Sequence, residues 1–302
     1  MTFEEDDASS SLVYAVDHAI IMHREAHFGG NFDIMLTYYR NEGRGVSQDF
    51  TIQRIEQLQH LEVHENKNLA SFILSGAEME KIAHIKEVYQ KLRALYEIKN
   101  SKNQIPLLIA DLILAENTEI PAAIDAVVEK KSAIVPALIE LLRQEDFYDP
   151  LYPGYGQAPF LAAEALGKIG DKRAIISLFE HIGESDFYGE EAILHALHMI
   201  GQPAKDFLLR VLNASPYTFD NERAAIALVA FKGDSEVVEN CLKILQRIDL
   251  QKHELFANYL ILACEGVSSP QLQKELLKFA QLQSTPKILR LDIQSMLGAK
   301  SS

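Results

Sequence analysis

The chain has 302 residues, 48% of them hydrophobic, so it is long and apolar enough to bury a sizeable core. Its formal net charge of −14 at pH 7 would repel a phosphate backbone, which argues against nucleic acid as a partner. No apolar run approaches the ~18 residues of a membrane span, the acidic N-terminus carries no secretion signal, and the two cysteines lack CxxC spacing, which together predict a cytoplasmic protein with reduced thiols and no membrane partner.

The first hundred residues predict a tail followed by an irregular helical cap. Residues 1–10 are acidic and rich in serine, and they are expected to form a disordered, solvated tail. Ser11 is expected to cap a first helix that ends at the Gly29-Gly30 pair. Further helices follow, among them a long one over Ala77–Ile98 with apolar residues at helical spacing. Residues 11–100 therefore form one predicted domain, the helical cap.

Residues 101–302 predict a regular array of helix pairs. Glycines recur there at intervals of 31 to 33 residues, each after a run of small and branched apolar residues: Gly170, Gly201, Gly233, Gly266 and Gly298. A glycine just past the last apolar position is a common helix stop, because it has no Cβ to clash in the left-handed conformation. One helix pair cannot bury its own apolar face, so the pairs are expected to stack on one another.

The segment with the clearest pattern reads Ala162-Ala163-Glu164-Ala165-Leu166-Gly167-Lys168-Ile169-Gly170-Asp171-Lys172-Arg173-Ala174-Ile175. It resembles the HEAT repeats, in particular the short-period variety of phycobilisome lyase proteins, and the resemblance extends over about residues 121–298. The resemblance implies an all-α fold in which antiparallel helix pairs form a right-handed superhelix, a HEAT-type solenoid with a concave face. It implies no reaction, because HEAT arrays serve mostly as scaffolds.

An aromatic loop interrupts this regularity. The segment over residues 145–159 lengthens one loop between repeats and carries several tyrosines, and aromatic residues recur in the next two loops. Acidic residues accompany them, so the loops predict a surface that binds a protein or peptide partner with a basic segment. The predicted partner-binding residues are Phe147, Tyr148, Tyr152, Tyr155, Phe187, Tyr188, Tyr217 and Phe219. In the alternative interpretation, the three phenylalanines turn inward and seal the ends of helix pairs.

Histidines concentrate in the predicted cap. His23 and His27, and likewise His60 and His64, are spaced four residues apart, which places both imidazoles of each pair on one face of a helix. Each pair supplies two metal ligands, so a metal site requires that the two helices converge or that a carboxylate joins. One alternative is ordinary hydrogen bonding between helices. Another is a pocket lined by His23, His27 and Tyr38.

Sequence motifs of the common enzyme classes are absent. The chain contains no GxSxG, no Walker GxxxxGK[ST] and no GxGxxG, and the Gly43-Arg44-Gly45 segment is interpreted as loop glycines. The sequence therefore predicts a non-enzymatic protein-binding scaffold without a cofactor, which engages its partner through the concave face and the aromatic loops. The alternative hypothesis is a metal-dependent or small-molecule enzyme whose site lies in the histidine-rich cap.

Overall fold

The computed structural model of the protein describes residues 5–97, 104–183 and 187–298, and side chains from residue 15 onward, except those of residues 187 and 188. The fold is all-α, and no strand occurs within these ranges. The chain forms two compact units. Unit 1 comprises Met1–Lys130 and Pro136–Ala162, and unit 2 comprises Lys131–Val135 and Ala163–Ser302.

Unit 1 contains the helices that precede the region in which glycines recur at regular intervals. They are α1 (Glu5–His27), α2 (Phe32–Arg40), α3 (Ile52–Glu65), α4 (Ala70–Ile73), α5 (Gly76–Ala94), α6 (Ile105–Leu114), α7 (Ile120–Val128), most of α8 (Val135–Arg143) and the first part of α9 (Ala158–Ile169). Local chemistry sets several of the starts. The Asn31 side chain accepts hydrogen bonds from the first backbone N–H groups of α2, and Ser75 with Glu78 forms a capping box at α5.

The core of unit 1 lies between its first helices. Apolar residues of α1, α2 and α3 are fully buried there, including Ile20, Ile21, Met35 and Ile55. Their helical spacing places them on one face of each helix, and burial of that face supplies the main stabilisation of the unit. This packing fixes the C-terminal end of α1 against α2 and α3. The same end of α1 forms part of a cavity in unit 1.

The structure refines the predictions for the N-terminal region. The first helix begins at Glu5 rather than after Ser11, whereas residues 1–4 of the predicted tail lie outside the described residues. Residues 98–103, at the predicted boundary between cap and array, also lie outside them. Unit 1 contains the predicted cap over residues 11–100 together with residues 101–130 and 136–162. The division into cap and array stays a prediction.

Unit 2 is a succession of helices that pair along the chain. After the end of α9 come α10 (Ile175–Glu180), α11 (Phe187–Ile200), α12 (Gln202–Leu212), α13 (Phe219–Leu228), α14 (Ser235–Leu245), α15 (Glu254–Ala263), α16 (Pro270–Gln281) and α17 (Lys287–Gly298). The sequential partners α11 and α12, α14 and α15, and α16 and α17 pack against each other. The helices α12 and α13 also pack against each other, and helices two apart in the chain are neighbours, because α13 contacts α15, α15 contacts α17 and α14 contacts α16.

Four of the five predicted glycine stops adopt the left-handed backbone. The φ angles are +71° at Gly170, +77° at Gly201, +78° at Gly233 and +82° at Gly266, which confirms the predicted conformation at these positions. Gly298 differs, because it is the last residue of α17. Two of the stops, Gly233 and Gly266, lie next to each other. The Gly233 N–H donates to the Ala263 carbonyl at 3.2 Å, and a Cβ at Gly233 would lie 3.0 Å from the carbonyl carbon of Gly266.

Candidate ligand cavity in unit 1

A cavity of about 670 Å³ opens in unit 1. Its walls come from the end of α1, the exposed side of α2, the last turns of α5 and α6, and two loops. The lining residues are His27, Phe28, Asp33, Ile34, Thr37, Tyr38, Asn41, Arg44, Tyr89, Arg93, Ile113, Leu114, Glu116, Gly154 and Tyr155. Aromatic walls with a few converging polar groups are typical of a binding site for a small organic group, and the volume lies in the usual range for such sites.

Tyr38 stands at the centre of the hydrogen bonds in this cavity. Its hydroxyl lies 2.8 Å from Glu116 Oε1 and 2.7 Å from the backbone carbonyl of Arg44, both of which accept. The Tyr155 hydroxyl donates to Tyr38 from 3.2 Å. Burial, followed by the hydrogen bonds with Tyr155 and Glu116, raises the pKa of Tyr38 far above its usual value. The phenol therefore stays protonated at neutral pH and acts as a hydrogen-bonding group.

Arg44 fixes the floor of the cavity. Its side chain is buried, with 1% of the residue exposed, and its guanidinium donates to the carbonyls of Ile113, Ala115 and Gly154 at 2.7 to 3.1 Å. The backbone N–H of Arg44 donates to the Glu116 carboxylate at 3.0 Å. Burial lowers the pKa of the Arg44 guanidinium, and the charge of Glu116 opposes that effect. Arg44 thus joins the end of α6 to the loop at Gly154.

Two glycines let the aromatic rings approach the backbone. A Cβ at Gly43 would lie 2.3 Å from Tyr38 Cζ, and a Cβ at Gly45 would lie 2.1 Å from Tyr155 Cδ1. Both distances are far below van der Waals contact, so any side chain at either position would displace a ring that lines the cavity. The glycines that flank Arg44 are therefore required by the packing of Tyr38 and Tyr155.

Tyr155 has an unusual backbone conformation. Its φ is +55°, and its neighbours Gly154 and Gly156 have φ values of +87° and +76°. A bulky residue in the left-handed region is a genuine outlier, and such outliers often occur at functional sites. The conformation directs the Tyr155 ring onto His27, with ring centroids 4.5 Å apart, and alongside Tyr38, with centroids 6.4 Å apart. The loop thus contributes one aromatic wall of the cavity.

His27 is held in one orientation by two hydrogen bonds. Its Nε2 lies 3.0 Å from the Pro150 carbonyl, which only accepts, so Nε2 carries the proton. Its Nδ1 therefore accepts from the Tyr89 hydroxyl at 2.8 Å. Burial lowers the pKa of His27 to about 4, despite the opposing hydrogen bond to Pro150. His27 is accordingly a neutral, structured part of the wall at neutral pH.

His23 lies one helical turn earlier, behind the lining residues. It is 5% exposed, and its ring packs among those of His27, Phe28, Tyr39 and Phe50 at centroid distances of 4.6 to 5.9 Å. Burial, followed by the proximity of His27, lowers the pKa of His23 to about 3. Its Nε2 is buried and has no hydrogen-bond partner among the protein atoms described. Of the three residues predicted to line a pocket, His27 and Tyr38 line this one and His23 supports it.

The predicted aromatic surface divides between core and cavity within unit 1. Phe147 and Tyr152 are 8% and 5% exposed, so their side chains belong to the core. Tyr148 is half-buried, its hydroxyl donates to the Leu142 carbonyl at 2.7 Å, and Tyr155 lines the cavity. The inward orientation of Phe147 agrees with the alternative interpretation, in which a loop phenylalanine seals a helix pair.

The remaining predicted aromatic residues belong to unit 2. Phe219 is 55% exposed, with the Arg223 guanidinium 4.6 Å from its ring centroid, so it does not turn inward. Tyr217 is half-buried and packs against Phe256 with ring centroids 5.9 Å apart. The side chains of Phe187 and Tyr188 lie outside the described part of the structure. Among the predicted residues whose side chains the structure describes, Phe219 is therefore the most exposed.

The second histidine pair does not join the first at this cavity. His60 and His64 are exposed residues of α3, and neither lines the cavity. His64 Nδ1 lies 3.2 Å from the carboxylate of its neighbour Glu65. Among residues 5–97, 104–183 and 187–298, no group of three or more His, Cys, Asp or Glu side chains is arranged to hold a metal ion.

Several residues of the cavity carry no signal that sequence reasoning had recognised. Glu116, Arg44 and Tyr89 come from three separate segments, and only the fold brings them together. One signal was present. An arginine flanked by two glycines, Gly43-Arg44-Gly45, follows the aromatic end of α2, and the glycines mark a close approach of the backbone to the rings. Interpreting them as loop glycines missed that function.

Comparison with known proteins adds no assignment. No protein-family model matches the chain, and no curated protein sequence matches it. Among the helices described, none combines the length and the apolar character that crossing a membrane requires.

Proposed function

We propose that the protein is a non-enzymatic binding protein and that the cavity of unit 1 is its recognition site. The observation that carries this proposal is the preformed aromatic cavity, in which several polar lining groups are already held by hydrogen bonds within the protein. Tyr38 bonds to Glu116, Arg44 bonds to backbone carbonyls, and His27 bonds to Tyr89. Walls that are fixed before binding lower the entropic cost of accepting a ligand.

The ionisation of the cavity favours binding over catalysis. A general acid or base works best when its pKa lies near the operating pH. Burial lowers the pKa of His27 to about 4 and raises the pKa values of Tyr38, Tyr89 and Tyr155 above their usual value. At neutral pH the three tyrosines therefore remain protonated and His27 remains uncharged. These groups serve to orient a bound molecule.

A screen of small aromatic fragments by ligand-observed NMR tests the proposal. Ile34→Trp places a larger side chain at a lining position where the native residue is 55% exposed, so it narrows the cavity without disturbing the core. Val63→Trp is the matched control, since Val63 is 74% exposed and does not line the cavity. We expect fragments that bind the wild type to be lost in Ile34→Trp and kept in Val63→Trp. Fragments that bind both variants equally, or no binding to the wild type, would contradict the proposal.

We propose in addition that unit 2 is a right-handed stack of HEAT-type repeats that serves as a scaffold for a protein partner. The near-constant spacing of left-handed glycines and the contacts between consecutive helix pairs support it. Exposed Phe219, with acidic Asp220 and Glu222 beside it in sequence, is the candidate contact for a basic partner segment. The compartment in which this occurs is predicted to be the cytoplasm.

Two glycine substitutions test the stacking. Gly233→Ala and Gly266→Ala both place a Cβ on a left-handed residue, but only the Cβ at Gly233 meets neighbouring backbone within 3.1 Å. We expect Gly266→Ala to cost about 1 kcal/mol in the free energy of unfolding and Gly233→Ala roughly 2–4 kcal/mol, because the latter must separate adjacent repeats. Equal costs in chemical denaturation would argue against close stacking at this point.

A small-molecule enzyme at the same cavity is the second candidate. The hydrogen bond from the Tyr89 hydroxyl to His27 Nδ1 favours it, because a histidine and a phenol in contact with a bound molecule are able to transfer a proton. Recovery of bound fragments unchanged after long incubation supports the binding protein, whereas a chemically altered fragment supports the enzyme. Elemental analysis decides the metal-dependent form, which requires stoichiometric metal that is lost in His23→Ala.

A further inference from the structure

We infer that the cavity of unit 1 binds a planar aromatic acid, with its ring against Tyr38 and Tyr155 and its carboxylate on Arg93. The inference rests on the proposed binding function and adds the chemical class of the ligand. Three observations carry it. The walls are aromatic, the buried charged groups already have partners within the protein, and the guanidinium of Arg93 has no ion pair or side-chain hydrogen bond among the residues that the structure describes.

The walls favour a flat aromatic group. Phe28, Tyr38, Tyr89 and Tyr155 all line the cavity. The rings of Tyr38 and Tyr155 are inclined by only 29°, with centroids 6.4 Å apart, so the lining contains two aromatic rings of similar orientation. Aromatic rings stack on such rings with an offset, and the contact is worth more than the buried area alone. A branched aliphatic group would leave much of this aromatic lining unmatched.

The charges deep in the cavity are already matched. The Arg44 guanidinium donates to three carbonyls, and Glu116 accepts from the Arg44 backbone N–H and from Tyr38. At the rim, Asp33 accepts from the Gln59 side chain at 2.7 Å and lies in the first turn of α2, where the helix dipole stabilises a carboxylate. Because these charged groups already have partners within the protein, they do not require an oppositely charged group on a ligand.

Arg93 is a charged residue of the lining that differs from these, because its guanidinium has no such partner among the described residues. Its guanidinium lies 5.6 Å from the centroid of the Tyr89 ring, and it makes no ion pair or side-chain hydrogen bond within the described ranges. It stands on the exposed side of α5, one turn after Tyr89, at the mouth of the cavity. A guanidinium presents its N–H groups in a planar fork that matches the two oxygens of a carboxylate. A ligand that carries its ring into the cavity and its carboxylate at the mouth satisfies both features.

Two sources supply this chemistry. A free aromatic acid presents a ring and a carboxylate, and so does a protein chain that ends in phenylalanine. The first probe is 2-naphthoate, with 2-naphthamide as its uncharged counterpart. The second is a five-residue peptide with a C-terminal phenylalanine, compared with the same peptide carrying a C-terminal amide. Binding of either acid in preference to its amide supports the ligand class, and the tighter of the two identifies the source.

Calorimetric titration of Arg93→Gln and Lys91→Gln isolates the charge at the mouth. Both residues are exposed on α5 and both substitutions remove one positive charge, but Lys91 does not line the cavity. We expect Arg93→Gln to weaken 2-naphthoate binding about tenfold or more, as for the loss of a charge-assisted hydrogen bond, and Lys91→Gln to leave it within about twofold of the wild type. Circular dichroism verifies that both variants fold.

The outcomes separate this inference from the proposed function. Equal affinity of 2-naphthoate for wild type and Arg93→Gln, or equal affinity of acid and amide, overturns the ligand class. Failure of all four probes to bind the wild type overturns it as well. In each case the cavity is judged independently by the fragment screen with Ile34→Trp and Val63→Trp, which does not depend on the charge of the ligand.

Discussion

In the Gly43-Arg44-Gly45 segment, the two glycines and the arginine between them have different structural roles. The glycines leave room for the rings of Tyr38 and Tyr155, and the arginine between them bonds to carbonyls of two other segments. Because an arginine side chain is rarely fully buried, its position at 1% exposure requires that its donors be satisfied inside the protein. The cavity therefore depends on a short loop as much as on its helices.

Substitution of Gly45 is expected to reveal this dependence. Gly45→Ala adds a Cβ 2.1 Å from Tyr155 Cδ1 at a residue with φ +82°, and Gly29→Ala adds one at φ +61° with no atom within 4 Å. We expect Gly29→Ala to lower the free energy of unfolding by about 1 kcal/mol, because of the left-handed backbone alone. Gly45→Ala should cost roughly 2–4 kcal/mol and should weaken fragment binding. Urea denaturation measures both, and equal costs would mean that Tyr155 yields freely.

The lowered pKa values of His23 and His27 predict a dependence of stability on pH. Burial lowers the pKa of His23 to about 3 and of His27 to about 4, from an ordinary value of 6.5. Between those values the unfolded chain binds protons that the folded chain does not, so the free energy of unfolding falls as the pH falls below 6.5. We expect a loss of roughly 2 kcal/mol for each histidine at pH 5.

His23→Phe separates this contribution from that of other groups. Phenylalanine suits the ring cluster around position 23 and removes the titratable nitrogen that lacks a partner. Urea unfolding at pH 7 and pH 5 should show a loss about 2 kcal/mol smaller in the variant than in the wild type. Identical losses in the two proteins would show that folding does not lower the pKa of His23.

At the scale of elements, a single asparagine joins α12 to α13. Asn221 is 1% exposed, and its side-chain amide donates to the carbonyls of Val211, Leu212 and Ala214 at the end of α12. Its Oδ1 accepts from the backbone N–H of Thr218 at 2.6 Å, which completes a cap at the start of α13. One side chain thus satisfies carbonyls at the end of one helix and the backbone N–H of Thr218, the residue that caps the next.

Asn221→Asp is expected to break this connection. The substitution replaces the donating amide by an oxygen and places a carboxylate against three carbonyls in a buried site. We expect a cost of about 3 kcal/mol or more in the free energy of unfolding at pH 7, because a buried acceptor then faces other acceptors. Asn117→Asp, at an exposed position, is the control and should cost little. Thermal denaturation followed by circular dichroism compares them.

The helices themselves were predictable to a large extent, because periodicity and stop signals act over short distances along the chain. The left-handed glycines at Gly170, Gly201, Gly233 and Gly266 followed from their place after apolar runs. The first helix was misplaced at its start, since Ser11 is a good capping residue and yet lies inside α1. A capping residue permits a helix start without requiring one, and flanking residues decide between the options.

At the scale of the whole molecule, the cavity was much less predictable than the helices. The Arg44 N–H and the Glu116 carboxylate that accepts from it are 72 residues apart, and Tyr38 and Tyr155 are 117 apart. Contacts of that separation are set by tertiary packing and leave no periodic trace in sequence. One alternative predicted a pocket lined by His27 and Tyr38, and Tyr155 was predicted to contact a partner, but the meeting of all three at one site depends on the fold of unit 1.

A ligand in the cavity should leave a localised trace in hydrogen exchange. Binding stabilises the segments that contact the ligand and slows their opening. With 2-naphthoate or any fragment lost in Ile34→Trp, we expect slower amide exchange in residues 27–44, 89–93 and 113–116. Exchange in α13–α17 should stay as in the free protein. Mass spectrometry after proteolysis resolves these segments, and uniform protection across both units would contradict a single site in unit 1.

The cysteines give the protein a built-in reporter. Cys241 and Cys264 are the only cysteines of the sequence, and both are buried in unit 2. A hydrogen bond with Cys264, reinforced by burial, raises the pKa of the Cys241 thiol, and the burial of both cysteines keeps an alkylating reagent away from them in the folded protein. The rate of maleimide labelling therefore measures the opening of unit 2. Most of the tyrosines belong to unit 1, so their ultraviolet signal reports mainly on unit 1 without an added dye.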